Sequence, residues 1–168
     1  AVAFLQSLGF PALAGTLAGA QYESNFFNMA NMEHVLEHVT NPLDVLLETH
    51  RILSEGGTLV ITIPNFRSMS RVLFGIYWYS LETPRHLYHF TPDTLTRLLE
   101  KAGFVDIRVS YVASPKYFLQ SIALRYRGGK SRFPKIVWQL LKIPAWCVAL
   151  VGLASTMRIT AKKSSGKI

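Results

Sequence analysis

The sequence has 168 residues, 49% apolar and 17% charged, which suffices for one domain with a sizeable core and excludes a disordered chain. Its one cysteine, Cys147, excludes an intrachain disulfide framework; lying in an apolar run, it is expected as a small buried hydrophobe. The net charge of +8 is uneven: residues 1–112 carry ten acids and seven bases, residues 113–168 eleven bases and no acid. Such a basic, apolar segment suits either an anionic surface or substrate, or a solvated helical face.

In chain order, residues 1–8 read as the end of a helix stopped at Gly9, residues 10–17 as a short strand, and residues through Asn25 as a loop. Phe26 to Met32 suits a buried strand. Asn41, Pro42 and Asp44 are helix-start residues, and Leu43, Leu46, Leu47 and Leu53 then share one helical face. Ser54-Glu55-Gly56-Gly57 is expected to end that helix. Thr58 to Ile63 is a near-continuous β-branched and apolar run closed by Pro64, as in a parallel strand covered on both faces.

Residues 64–90 form a long connection rich in aromatics and histidines, of the kind that is usually functional when ordered. Thr91-Pro92-Asp93 starts a helix with Leu95, Leu98, Leu99 and Ala102 on one side, ended by Gly103. Phe104 to Val112 alternates, with Val105, Ile107, Val109 and Tyr111 on one face. Two helices follow, about 115–127 and 134–153, around the turn Gly128-Gly129-Lys130-Ser131, and then a last edge strand, Met157–Lys163. Alternation of helix and strand argues an α/β sheet with helices on its faces.

His34, Glu37 and His38 fit the spacing H-x-x-E-H, in which two histidines one helical turn apart share a metal. That chemistry needs a continuous helix, whereas here a strand runs up to Met32 and a new helix begins at Asn41-Pro42, so no metal is expected. His86 and His89 form a second pair that nothing in the sequence ties to the first. Position favours another role: in open parallel sheets ligands bind at the carboxyl ends of strands, where His34, Glu37, His38 and Asn65 fall. Such groups could act as acid or base, or cap the next helix.

The run HVLEHVTNPLDVLLETHRILSEGGTLVITIPN, from His34 to Asn65, resembles the region from the fourth to the fifth strand of class I S-adenosylmethionine-dependent methyltransferases. LETPRHLYHF (81–90) before Thr91-Pro92, and LEKAGF (99–104), resemble the segments before and after that family's next helix. The resemblance implies a Rossmann-like α/β sheet with an antiparallel last strand. Phe26–Met32, Thr58–Ile63, Phe104–Val112 and Met157–Lys163 would be strands four to seven, and Ala12–Leu17 strand three. It further implies a partial domain over 1–163 in which strands one and two are absent. Residues 113–154 would be a helical insertion between strands six and seven, and 164–168 a disordered tail. The family's glycine-rich cofactor turn has no counterpart, since G-x-G occurs nowhere, and Asn28 stands where the family often has aspartate. The lack of an initiator methionine fits a chain that starts within a domain.

On this resemblance, Thr16, Leu17, Glu33 and His34 would contact S-adenosylmethionine, and His38, His86 and His89 are candidate catalytic bases. Glu37, Asn65, Trp78, Tyr79 and Arg85 would meet the methyl acceptor, a small molecule or a sugar- or lipid-linked one. Displacement of a sulfonium methyl needs positioning more than a strong catalytic group. The alternative is a non-catalytic binding module that has lost its cofactor site. Residues 136–154 are too interrupted to span a membrane, but with Trp138 and Trp146 they could lie at an anionic bilayer surface, which fits a cytoplasmic protein associated with the membrane's inner face. Nucleic acid is not an expected partner, because the basic segment is apolar and matches no such motif.

Overall fold

The computed structural model describes residues 2–126, 128 and 133–165. Helix α1 (Val2–Ser7) is followed by Gly9, whose φ of +82° is the left-handed turn that ends a helix. Residues 10–17 form no strand: Phe10 and Leu13 are exposed, and among the described residues no strand pairs with them. A strand persists only where a neighbour takes up its backbone hydrogen bonds.

Strand β1 (Phe27–Glu33) leads through the one-turn helix Leu36–His38 to α2 (Pro42–Ile52). Pro42 opens α2 as its missing N–H allows, but the Asn41 amide donates to Asp44 rather than capping the backbone. The buried stripe of α2 is Pro42, Leu46, Thr49 and Ile52; Leu47, expected inside, is exposed.

Strand β2 (Leu53–Pro64) begins directly where α2 ends. Residues 54–57 therefore do not stop a helix but bulge out of the strand, since Phe27 pairs with Leu53 and Met29 already with Thr58. A Cβ on Gly57 would lie 2.7 Å from the Ser54 carbonyl oxygen, so glycine is what lets the bulge fold back.

Helix α3 (Met69–Phe74) interrupts the 64–90 connection, capped by the Ser68 hydroxyl, which accepts from the Arg71 N–H. Helix α4 (Pro92–Lys101) carries a full capping box between Thr91 and Thr94. Strand β3 (Phe104–Val112) matches its expected limits, but a bulge between Val105 and Arg108, with Asp106 at φ +51°, breaks its alternation and leaves Val105 and Val109 exposed.

Helices α5 (Lys116–Tyr126), α6 (Lys135–Leu140) and α7 (Lys142–Leu150) stand between β3 and β4 (Thr156–Lys163). The single helix expected over 134–153 is two, because Pro144 has no N–H to give the Leu140 carbonyl and its ring would strike it. Of the turn expected at 128–131, all but Gly128 lies outside the described residues. Cys147 is exposed, not buried, since among the described residues nothing covers that side of α7. Among the described residues no helix is long and apolar enough to cross a membrane.

The sheet order is β1-β2-β4-β3, with β1 parallel to β2 and β4 antiparallel to both its neighbours. The main hydrophobic cluster lies on one face, while on the other burial is confined to the strand ends, where Thr62 and Thr156 are covered. Leu59, Ile61 and Ile63 of β2 pair with Ala161, Ile159 and Met157 of β4, beneath Leu46 of α2 and Leu95 and Leu99 of α4. Each of these leucine, isoleucine and methionine side chains contributes about 1.5–3 kcal/mol by leaving water. On the other face Asn31, Arg158 and Lys162 are exposed, and Thr58 and Val60 are only half-buried, so β2 is not fully covered on both sides as its sequence suggests.

Candidate active site

The carboxyl ends of β1 and β2 lie side by side, and the chain leaves β1 through a constrained turn. The His34 N–H donates to the Thr62 carbonyl at 2.9 Å, extending the parallel ladder, while its φ of +52° is one that few non-glycine residues adopt. Such outliers cluster at functional sites. The turn sets the imidazole over the one-turn helix 36–38, whose Leu36 and Glu37 are buried.

His34 Nδ1 lies 3.0 Å from Glu37 Oε1, and His34 Nε2 lies 3.3 Å from the hydroxyl of Tyr117 on α5. A carboxylate oxygen only accepts, so Nδ1 carries the hydrogen. In the neutral ring Nε2 then accepts from the Tyr117 hydroxyl. The result is a directed chain, Tyr117 to His34 to Glu37. The hydrogen bond His34 donates to Glu37 raises the His34 pKa above its ordinary value against the opposing effect of burial, and burial raises that of Tyr117.

The loop 80–90 closes over the same helix. Leu87 N–H donates to the Glu37 carbonyl at 2.8 Å. His38 Nδ1 lies 2.9 Å from the Arg85 carbonyl and His86 Nδ1 2.8 Å from the Ser80 carbonyl, with the two rings edge to face, centroids 4.7 Å apart. Burial lowers the His86 pKa.

The structure thus gathers Glu33, His34, Glu37, His38 and His86 at one strand end, with the half-buried Tyr79 ring 6.1 Å from Tyr117. It sets the other candidates elsewhere. His89 gives Nε2 to the Leu81 carbonyl and packs on Phe66, a structural role. Asn65 is buried with its amide engaged by the Gly152 and Ala154 carbonyls and the Arg67 N–H, so it ties β2 to the start of β4. Trp78, 1% exposed, fills the loop's interior against Phe66 and is no lid. The Arg85 side chain is 75% exposed, paired with Glu82. Thr16 and Leu17 line a separate open cleft formed by residues 13–22, none of which belongs to the His34 cluster.

Tyr117 was not among the sequence candidates. It lies 83 residues from His34 in a segment notable only for charge and apolarity, and no spacing rule connects the two.

A four-stranded mixed sheet of this order, with its last strand antiparallel and polar groups at the parallel strand ends, defines an α/β domain of Rossmann-like type. Comparison narrows this. A family model described as a methyltransferase domain matches residues 10–109, and the chain belongs to that family. A ubiquinone biosynthesis O-methyltransferase of Ruegeria sp. is 33% identical over 115 residues, 64% of this chain and 46% of that protein. A protein of the same name from Dinoroseobacter shibae is 33% identical over 96 residues, 54% of this chain and 37% of that protein. The chain thus spans less than half the length of these relatives. An S-adenosylmethionine-dependent methyltransferase of Thermotoga maritima superposes with a TM-score of 0.65 at 18% identity, over 97% of this chain and 69% of that one, a likeness of fold.

Proposed function

We propose that this chain is the acceptor-side part of an S-adenosylmethionine-dependent methyltransferase that methylates a hydroxyl of a small-molecule acceptor. The observation that carries the reading is the Tyr117–His34–Glu37 chain at the carboxyl end of β1, the edge where ligands of such sheets bind. The relatives' names supply the oxygen acceptor.

When bound, S-adenosylmethionine supplies an electrophilic methyl group on a sulfonium. The residues present suit the reacting end of that cofactor. Glu33 and His34 bring negative charge and a hydrogen-bonding ring to the strand end, but no G-x-G turn exists to hold the remainder. The reading therefore includes a segment outside these 168 residues, pairing on the free side of β1 and contributing that turn. His34 Nε2 takes the acceptor's hydroxyl proton, displacing the Tyr117 hydroxyl, which would ready the acceptor oxygen for the sulfonium methyl as its carbon–sulfur bond breaks and the thioether leaves. Glu37 holds the imidazole in the required tautomer and stabilises its charged form.

The test is calorimetry with S-adenosylmethionine and a methyl-transfer assay on the chain extended by its upstream segment. His34→Gln is expected to lower kcat by roughly 10²–10⁴-fold with cofactor affinity kept. Absence of cofactor binding by the extended protein would sink the reading in favour of a non-catalytic binding module.

A finer feature concerns α7, whose Ile143, Trp146 and Leu150 are exposed, as are its Lys142 and Lys135 at the start of α6. This apolar surface with basic residues supports contact with an anionic membrane, as a lipid-linked acceptor would require. Flotation with anionic vesicles tests it; no flotation removes it.

A further inference from the structure

One buried carboxylate oxygen in the cluster has no hydrogen-bond partner among the described residues. Glu37 is 1% exposed, and its Oε2 accepts no hydrogen bond, although its Oε1 is held by His34. Leaving a buried carboxylate oxygen unsatisfied costs on the order of 1–3 kcal/mol or more, so such a position is ordinarily filled. The side chains grouped with Glu37 are chemically specific. The Arg85 and Ser80 carbonyls that hold His38 and His86 can only accept, so each Nδ1 carries the hydrogen. In each neutral ring Nε2 keeps a free lone pair. One ligand atom from each of Glu37, His38 and His86 lies within 4.8 Å of the others.

We propose that Glu37, His38 and His86 form a binding site for a divalent transition-metal ion of the zinc class. Two imidazole nitrogens and one carboxylate oxygen are a donor set that zinc and its neighbours favour, and three protein ligands leave a position open for water or substrate oxygen. The backbone carbonyls behind the two rings are the outer partners that orient metal-ligating histidines. Glu82 Oε2, 3.9 Å from His86 Nε2, adds a second acidic group on the same side. Tetrahedral ligands at ~2.1 Å stand about 3.4 Å apart, so capture needs the side chains to close by roughly an ångström.

This site differs from the one the H-x-x-E-H spacing suggests and from the expectation of no metal. His34 is committed to Glu37 and Tyr117, and the second imidazole comes from His86, 48 residues beyond His38. Seating of an ion does not depend on methyl transfer and is measured without it.

The experiment titrates the chelator-treated 168-residue chain with cobalt(II), read by visible absorption and calorimetry. One equivalent is expected to bind with d–d bands, and zinc to displace it. Glu37→Gln and His86→Asn, each shown to be folded by circular dichroism, should weaken binding at least tenfold. In the unsubstituted protein, cobalt should broaden the ring protons of His38 and His86 before those of His50. Absence of stoichiometric binding would mean that the position takes a water, and it overturns the proposal. So does unchanged affinity in the folded Glu37→Gln protein, or first broadening at His50.

Discussion

The two faces of the sheet, built from the same strands, have opposite fates. On one, Leu59, Ile61, Met157 and Ile159 are sealed beneath α2 and α4; on the other, Asn31, Arg158 and Lys162 meet water. The difference lies in the cover and not in strand propensity, for Val60 is as apolar and β-branched as Ile61 beside it. A run of apolar residues therefore reports that a strand is present, while its neighbours decide which half of it is core.

Substitutions along β2 give the sharpest contrast. Ile61→Ala is expected to lower stability by about 2–5 kcal/mol, and Val60→Ala by about 1 kcal/mol or less, read from urea unfolding. Equal losses would mean that the second face is covered in solution. At the strand's entry, Gly57→Ala must push back the Ser54 carbonyl and is expected to cost about 1–3 kcal/mol by the same measurement.

Smaller effects are expected where the faces end in polar groups. The raised His34 pKa makes its contribution to stability complete below about pH 6.5, the unfolded value, and lost as pH rises through the folded one. The gap in unfolding free energy between the unsubstituted chain and His34→Gln should narrow with rising pH. His50 and His86, whose pKa values burial lowers, act in the opposite sense: their contributions are present above about pH 6.5 and lost as pH falls through the folded values. Proton NMR titration should accordingly place the His34 midpoint above about 6.5 and the other two below. Least of all, Lys162→Ala on the open face should change stability by no more than about 0.5 kcal/mol.

The elements most legible in the sequence are those whose signals are local. Thr91, Pro92 and Gly103 bracket α4, and β3 follows at its expected limits because each signal acts within a few residues. Residues 10–17 carry an apolar run but find no partner, which a single segment's pattern cannot report. Gly56-Gly57 looks like a helix stop, yet it serves a bulge, because both uses need the same backbone freedom. The site divides the same way. His34, Glu37 and His38 were visible as one short motif. The partnership of Glu37 with His86, and of His34 with Tyr117, arises only when distant segments fold together. Asn65, Trp78 and His89 pack the connection itself, since polar and aromatic residues in a long loop fill its interior as readily as they meet a ligand.

The position of β4 has a consequence for assembly. Residues 156–163 come last among the strands, yet they lie between β2 and β3 and provide the only pairing β3 has among the described residues. On the ribosome, β1, α2 and β2 can unite as soon as they emerge, whereas β3 must wait for some fifty residues more before a neighbour exists. Pairing of β3 is thus tied to synthesis of residues 156–163, and a nascent protein halted before residue 156 would hold a finished parallel pair beside an unpaired strand, open to chaperones and proteases.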